Sequence, residues 1–103
     1  MARFLVGNAS KVEEGKVIVV RAGDRRLALS MVEGKYYAID DVCTHDSGPL
    51  GEGVLCDYSV ECPRHGARFD IRTGQALSLP ATQGVSSYPV TIDGEDIYVE
   101  LPG

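Results

Sequence analysis

Two short runs hold the residues best able to do chemistry: Cys43-Thr44-His45 and, after residues 46–61, Cys62-Pro63-Arg64-His65. Each sets one thiol and one imidazole at metal-ligand spacing, C-x-H and then C-x2-H. His45 and His65 are the only histidines in a chain of 103 residues, so its whole imidazole supply stands beside cysteine. Thiolate and imidazole are donors for zinc and for iron–sulfur centres, and the pattern therefore points to a bound metal. Zinc fingers pair like with like, C-x2-4-C with H-x3-5-H. Here each run mixes the two donor types. A dinuclear iron–sulfur centre explains that mixture: the two cysteines can hold one iron and the two histidines the other, with each run contributing to both. A structural zinc-binding module is the competing reading.

Such donors must be held by a framework, and the chain reads as short strands between turns. Lys16 to Arg21 is β-branched and stops at Ala22-Gly23-Asp24. Arg26 to Val32 alternates less cleanly. Glu33-Gly34-Lys35 is a turn into Tyr36 to Ile39, and together these predict a meander of antiparallel strands. From Asp40 to Gly53 the residues Gly48, Pro49, Gly51 and Gly53 interrupt any strand, which places Cys43 and His45 on a loop. Short strands are expected over Val54 to Asp57, Tyr58 to Glu61 and Phe69 to Ile71, with the second donor pair on a turn from Cys62 to Gly66. Arg72-Thr73-Gly74 reads as a tight turn and Leu77 to Gly84 as irregular chain. Val85 to Ile92 and Ile97 to Leu101 form a closing hairpin around Asp93-Gly94-Glu95. Ser10 with Glu13-Glu14 suggests a capped helical turn, and no helix of ten or more residues is expected. The fold class is therefore all-β, an antiparallel sandwich or barrel. Two loops carry the donors, and one domain spans residues 1–103.

Composition narrows the function further. The net charge is −5 and the isoelectric point near 4.8, which argues against nucleic acid as a partner. An acidic surface serves solubility or steers the chain to a basic protein face. Glu13, Glu14, Asp40, Asp41 and Asp46 are the candidates for such steering. No stretch approaches the ~20 apolar residues of a membrane span, and Met1 to Ser10 lacks the features of a signal peptide. The expectation is a soluble cytoplasmic protein without a membrane partner. Cys56 is left over from the paired motifs and is expected as a small apolar residue in a strand.

Cys43-Thr44-His45 and Cys62-Pro63-Arg64-His65-Gly66, followed by Phe69-Asp70 and Thr73-Gly74, closely resemble the Rieske family. Most of the chain is similar to the small Rieske ferredoxins of bacterial aromatic-ring-hydroxylating dioxygenase systems. The resemblance implies one [2Fe–2S] cluster per chain, with Cys43 and Cys62 on the inner iron and His45 and His65 on the outer, solvent-facing iron. It matches Pro80 to a proline loop over the cluster. It implies a one-electron carrier of aromatic hydrocarbon catabolism and no catalytic residue. The partners implied are a flavin-dependent ferredoxin reductase and a terminal Rieske oxygenase, and the chain is expected as a monomer. An oxygenase needs a further mononuclear iron, usually held by two more histidines and a carboxylate, and this sequence has no histidines left. A small redox subunit of a nitrite-reductase-like complex is the alternative carrier role.

Ligand type also sets the expected potential. Two thiolates balance the oxidised core, so the site is formally uncharged and easier to reduce than an all-cysteine dianion. Respiratory Rieske proteins carry a serine and a tyrosine that donate hydrogen bonds to sulfur, and a disulfide between the loops. This chain has Ala67, Phe69 and Arg64 at the corresponding places in the second loop. Fewer donors predict a potential at the low end of the Rieske range, roughly −150 mV rather than ~+300 mV.

Overall fold

Strands dominate because β-branched and aromatic runs alternate with glycine turns. A computed structural model describes residues 2–41, 50–62, 66–78 and 84–102. These form β1 (Ala2–Asn8), β2 (Val17–Ala22), β3 (Arg25–Val32), β4 (Lys35–Asp40), β5 (Val54–Cys56), β6 (Ser59–Glu61), β7 (Arg68–Asp70), β8 (Ser87–Tyr88), β9 (Val90–Asp93) and β10 (Asp96–Leu101). The only helical pieces among the described residues are two 3-10 turns, Ala9–Lys11 and Leu50–Glu52.

Every strand pairing is antiparallel, in three sheets ordered β1-β10-β9, β2-β3-β4-β8 and β5-β6-β7. The expected all-β antiparallel architecture is thus present, and the β2-β3-β4 meander is the one read from the turns. The four-stranded sheet lies between two cores. Leu27 and Leu29 of β3 pack with Val20, Ala38, Ile97, Val99 and Leu101. Ala28 and Val32, on the opposite face of β3, pack with Ile39, Leu50, Val60, Cys62 and Phe69. A strand covered on both faces has no solvent face to mark with polar residues, which is why Arg26 to Val32 lacks clean alternation.

One strand goes beyond the sequence reading, and two expectations are corrected. Ala2–Asn8 is a strand, β1, paired along β10 with a register shift between Leu5 and Gly7. Pro89 divides the expected Val85 to Ile92 strand into β8 and β9, since proline has no N–H for the ladder. The first helical turn is capped by Asn8, not Ser10: Asn8 Oδ1 accepts from the Ser10 N–H at 2.9 Å. Glu14 has another task, accepting from the N–H groups of Glu33 (2.6 Å) and Gly34 (2.9 Å) in the β3–β4 turn.

Candidate metal centre

Cys62 is the one proposed ligand within the described residues. It follows β6 directly and is 1% exposed, packed in the core shared by Leu50, Val60, Ala67 and Phe69. The turn beyond it is tight. The Gly66 N–H donates to the Cys62 carbonyl (3.1 Å), and the Cys62 N–H donates to the Ala67 carbonyl (2.7 Å). Gly66 has φ +75, a left-handed conformation that a side chain rarely adopts. Cys43, His45 and His65 lie outside the described residues, as do Asp46, Gly48, Arg64 and Pro80.

The flanks of segments 42–49, 63–65 and 79–83 can still be placed, the first two of which contain proposed ligands. The first segment, 42–49, leaves from Asp41 at the end of β4 and returns at Leu50, which is fully buried. Gly53 then lies hard against the Glu61 carbonyl, so tightly that a Cβ would collide with that oxygen. This contact sets the return of the first segment beside the residue preceding Cys62. The second segment, 63–65, spans Cys62 to Gly66, and its flanks Glu61 and Arg68 are register partners. The third, 79–83, leaves beside the second: the Leu77 N–H donates to the Arg68 carbonyl (2.8 Å), and Ser78 Oγ accepts from the Arg68 N–H (3.1 Å). It returns beside the first, where the Asp40 N–H donates to the Ser86 carbonyl at 3.0 Å. The flanks of three segments from distant parts of the sequence are therefore neighbours.

The surroundings fit a neutral cluster. Burying an uncompensated charge among apolar side chains is costly. A core whose positive charge is balanced by two thiolates, with neutral imidazoles completing the set, avoids that cost beside Leu50, Val60, Ala67 and Phe69. Ala67 and Phe69 are both fully buried in the same cluster as Cys62, and their side chains offer no hydrogen-bond donor.

Charged neighbours differ from expectation. Asp41 is no steering residue: its side chain is wholly buried, it accepts from the Gly51 N–H at 2.6 Å, and it stands 3.0 Å from Arg26 Nη2. Asp40 is also engaged, accepting from the Tyr88 hydroxyl (2.7 Å) and the Ser86 N–H (3.2 Å). Burial, then the bond to Asp40, raises the Tyr88 phenol above its ordinary value. Arg68 is locally paired, with Nε 3.4 Å from Glu61 Oε1. Cys56 sits in a strand as expected, but on the exposed face of β5 and not in a core.

Some contributors escape a reading of sequence. Gly51 and Gly53 register only as strand breakers there, while the fold uses both for close backbone approach. Tyr58 in the β5–β6 turn donates its hydroxyl hydrogen to Glu33 Oε2 in the β3–β4 turn. The Arg72 guanidinium lies over the Tyr58 ring at 4.3 Å, and Arg72 pairs with Asp70 at 3.1 Å. This cluster joins the small β5-β6-β7 sheet to the central sheet.

Comparison with known proteins agrees with this architecture. Residues 2–89 match the Rieske [2Fe-2S] domain family. The chain is 42% identical over 91 residues to the ferredoxin component of a naphthalene 1,2-dioxygenase system from Pseudomonas aeruginosa, covering 88% of each chain. It is 41% identical over 103 residues to the 3-phenylpropionate/cinnamic acid dioxygenase ferredoxin subunit of Escherichia coli, covering 99% of this chain and 96% of that protein. A solved complex of reduced oxygenase and oxidized ferredoxin in carbazole 1,9a-dioxygenase superposes with a TM-score of 0.87 at 35% identity, covering 94% of this chain and 91% of that one. The buried cysteine, the neighbouring flanks and these matches agree: the chain belongs to the Rieske [2Fe–2S] family, among the ferredoxins that carry electrons on one cluster and are not themselves catalysts.

Proposed function

We propose that Cys43, His45, Cys62 and His65 hold the cluster, and that the chain passes single electrons from a flavin-dependent ferredoxin reductase to a terminal Rieske oxygenase of an aromatic-ring dioxygenase system. Residues 1–103 act as one domain, as a cytoplasmic monomer. The observation that carries the reading is the likeness, over nearly the whole chain, to ferredoxin components of such systems, together with the related ferredoxin solved in complex with its oxygenase. Among the described residues no helix is long and apolar enough to cross a membrane, which is compatible with the location.

The bound group supplies reversible uptake of one electron. The chain's own residues do the rest. Cys62, set in an apolar bed, is screened from water on its inner side by Val60, Ala67 and Phe69. His45 and His65 are assigned the outward positions, where ring edges give a short path to a docked partner. Fast exchange between partners needs a contact that releases readily, and small redox interfaces held in part by charge have that property.

The test is anaerobic mixing with the terminal oxygenase and the flavin-dependent reductase of an aromatic-ring dioxygenase system. The purified protein should be brown and contain iron and acid-labile sulfide. Reduced protein should be reoxidised on mixing with the oxygenase, and oxidised protein reduced through the reductase. Replacing any one of Cys43, His45, Cys62 or His65 by alanine should abolish the visible bands. A colourless protein with stoichiometric zinc would overturn the ligand assignment. A cluster-bearing protein whose gene neighbours are nitrite-reductase components, and which exchanges electrons only with them, would overturn the pathway.

A further inference from the structure

The Asp41 carboxylate is the buried charged group that the electron-carrier role leaves without a task. Its backbone N–H donates to the Arg26 carbonyl at 3.1 Å, which extends the β3–β4 pairing one residue past Asp40. Its side chain has no exposed surface, whereas that of its partner Arg26 is half exposed. An ion pair at a surface contributes little, and solvent screening of Arg26 limits what that pair alone can offset. The second partner is the Gly51 N–H, 2.6 Å from Asp41 Oδ1. Charge-assisted bonds to backbone N–H groups are among the stronger hydrogen bonds.

Position gives that bond its meaning. Asp41 immediately precedes segment 42–49, and Gly51 follows Leu50 at its return. The bond therefore closes the neck of the segment that contains Cys43 and His45. Gly51 is also seated on β2, where a Cβ would run into Val19 Cγ2 and come within 3.0 Å of Asp41 Oδ1. Leu50 between them is fully buried. Both ends of the segment are thus referenced to β2, β3 and β4, and only Val42 separates Asp41 from Cys43.

We propose that Asp41 is a positioning residue for the first ligand segment. It ties the entry to the return through Gly51, with the Arg26 guanidinium 3.0 Å from the other carboxylate oxygen as counter-charge. Sites that bind metals need their ligands held within a fraction of an ångström, and partners behind the ligands supply that constraint. The inference rests on Cys43 and His45 being ligands.

The test uses the cluster-bearing protein and the variants Asp41→Ala, Asp41→Asn and Asp41→Glu. Deuterium exchange across residues 50–53 reads the tie, and the electron paramagnetic resonance spectrum of the reduced protein reads ligand geometry. Bleaching by a ferrous chelator reads retention. Asp41→Ala should speed exchange at Gly51 by roughly tenfold or more, shift or broaden the resonance lines and shorten cluster lifetime. Asp41→Asn keeps an oxygen acceptor for Gly51 and should restore both protection and the resonance spectrum. Should Asp41→Ala fail to fold, Asp41→Glu decides. It keeps the charge but overshoots the Gly51 amide, so altered exchange and resonance are expected. Wild-type resonance and retention in Asp41→Ala, or in Asp41→Glu where alanine does not fold, would overturn the proposal, even if thermal stability fell. Absence of iron and sulfide from the unsubstituted protein would instead sink the ligand reading, while Gly51 exchange would still report whether the tie exists.

Discussion

At the scale of residues, Phe69 and Ala67 matter for what they withhold. Both are fully buried beside Cys62 and carry no donor. Phe69→Tyr or Ala67→Ser should therefore raise the reduction potential, by on the order of 60 mV for a bond worth about 1.4 kcal/mol more in the reduced state. Protein-film voltammetry checks this, and no rise in either variant with the cluster intact would refute the hydrogen-bond account. A second residue-scale prediction concerns Tyr58. Its phenol is pushed up from 10.0 to about 12, first by its hydrogen bond to Glu33, then by desolvation and by the Glu33 charge. An acid raised on folding contributes stability that is complete below its unfolded value of 10.0 and is lost as pH rises through about 12. Difference titration at the tyrosinate band should show one tyrosine near 12 that returns toward 10.0 in Glu33→Gln. An unmoved midpoint in that variant would remove Glu33 as the cause.

At the scale of elements, the turn after β7 controls where the third segment starts and ends. Gly74 has φ +81, donates its N–H to the Asp70 carbonyl at 2.7 Å and accepts from the Val85 N–H at 2.7 Å. A Cβ there would collide with the Val85 carbonyl. Gly94, in the β9–β10 turn, has φ +65 and open space around the same position. Gly94→Ala should thus cost only the left-handed strain, about 1–2 kcal/mol. Gly74→Ala should cost more and lower Tm further; equal losses in thermal melts would mean that Val85 yields. Legibility varies in the same way. β2, β3 and β4 are visible in the sequence because β-branched runs end at Gly23 and Gly34. β1 is obscured because Ala2–Asn8 mixes exposed and half-buried positions along a shifted register with β10. The proposed ligands are legible from C-x-H and C-x2-H alone, since metal donors advertise themselves by type. Asp41 is not, because its role depends on the end of β4 meeting a glycine across the neck of a loop. Type alone suggests an exposed acid, and the fold buries it.

At the scale of the whole molecule, the central sheet serves two cores with unequal duties. One, built from Leu27, Leu29, Ile97, Val99 and their neighbours, does not include Cys62, the one proposed ligand among the described residues. The other contains Cys62. Chelating the iron should therefore leave slow amide exchange along β3 and β10, while protection near Gly51 and Gly66 falls. Uniform loss of protection would show that the metal centre is needed for the entire fold. The Tyr58–Glu33 bond and the Arg72 stack couple the two regions at the side formed by the β3–β4 and β5–β6 turns. The core without Cys62 has a biological corollary. If β3 and β10 keep their protection without iron, a newly made chain secures most of its framework before the metal arrives, and shortage of iron would leave behind an intact receptacle awaiting assembly, not a misfolded polypeptide bound for proteolysis.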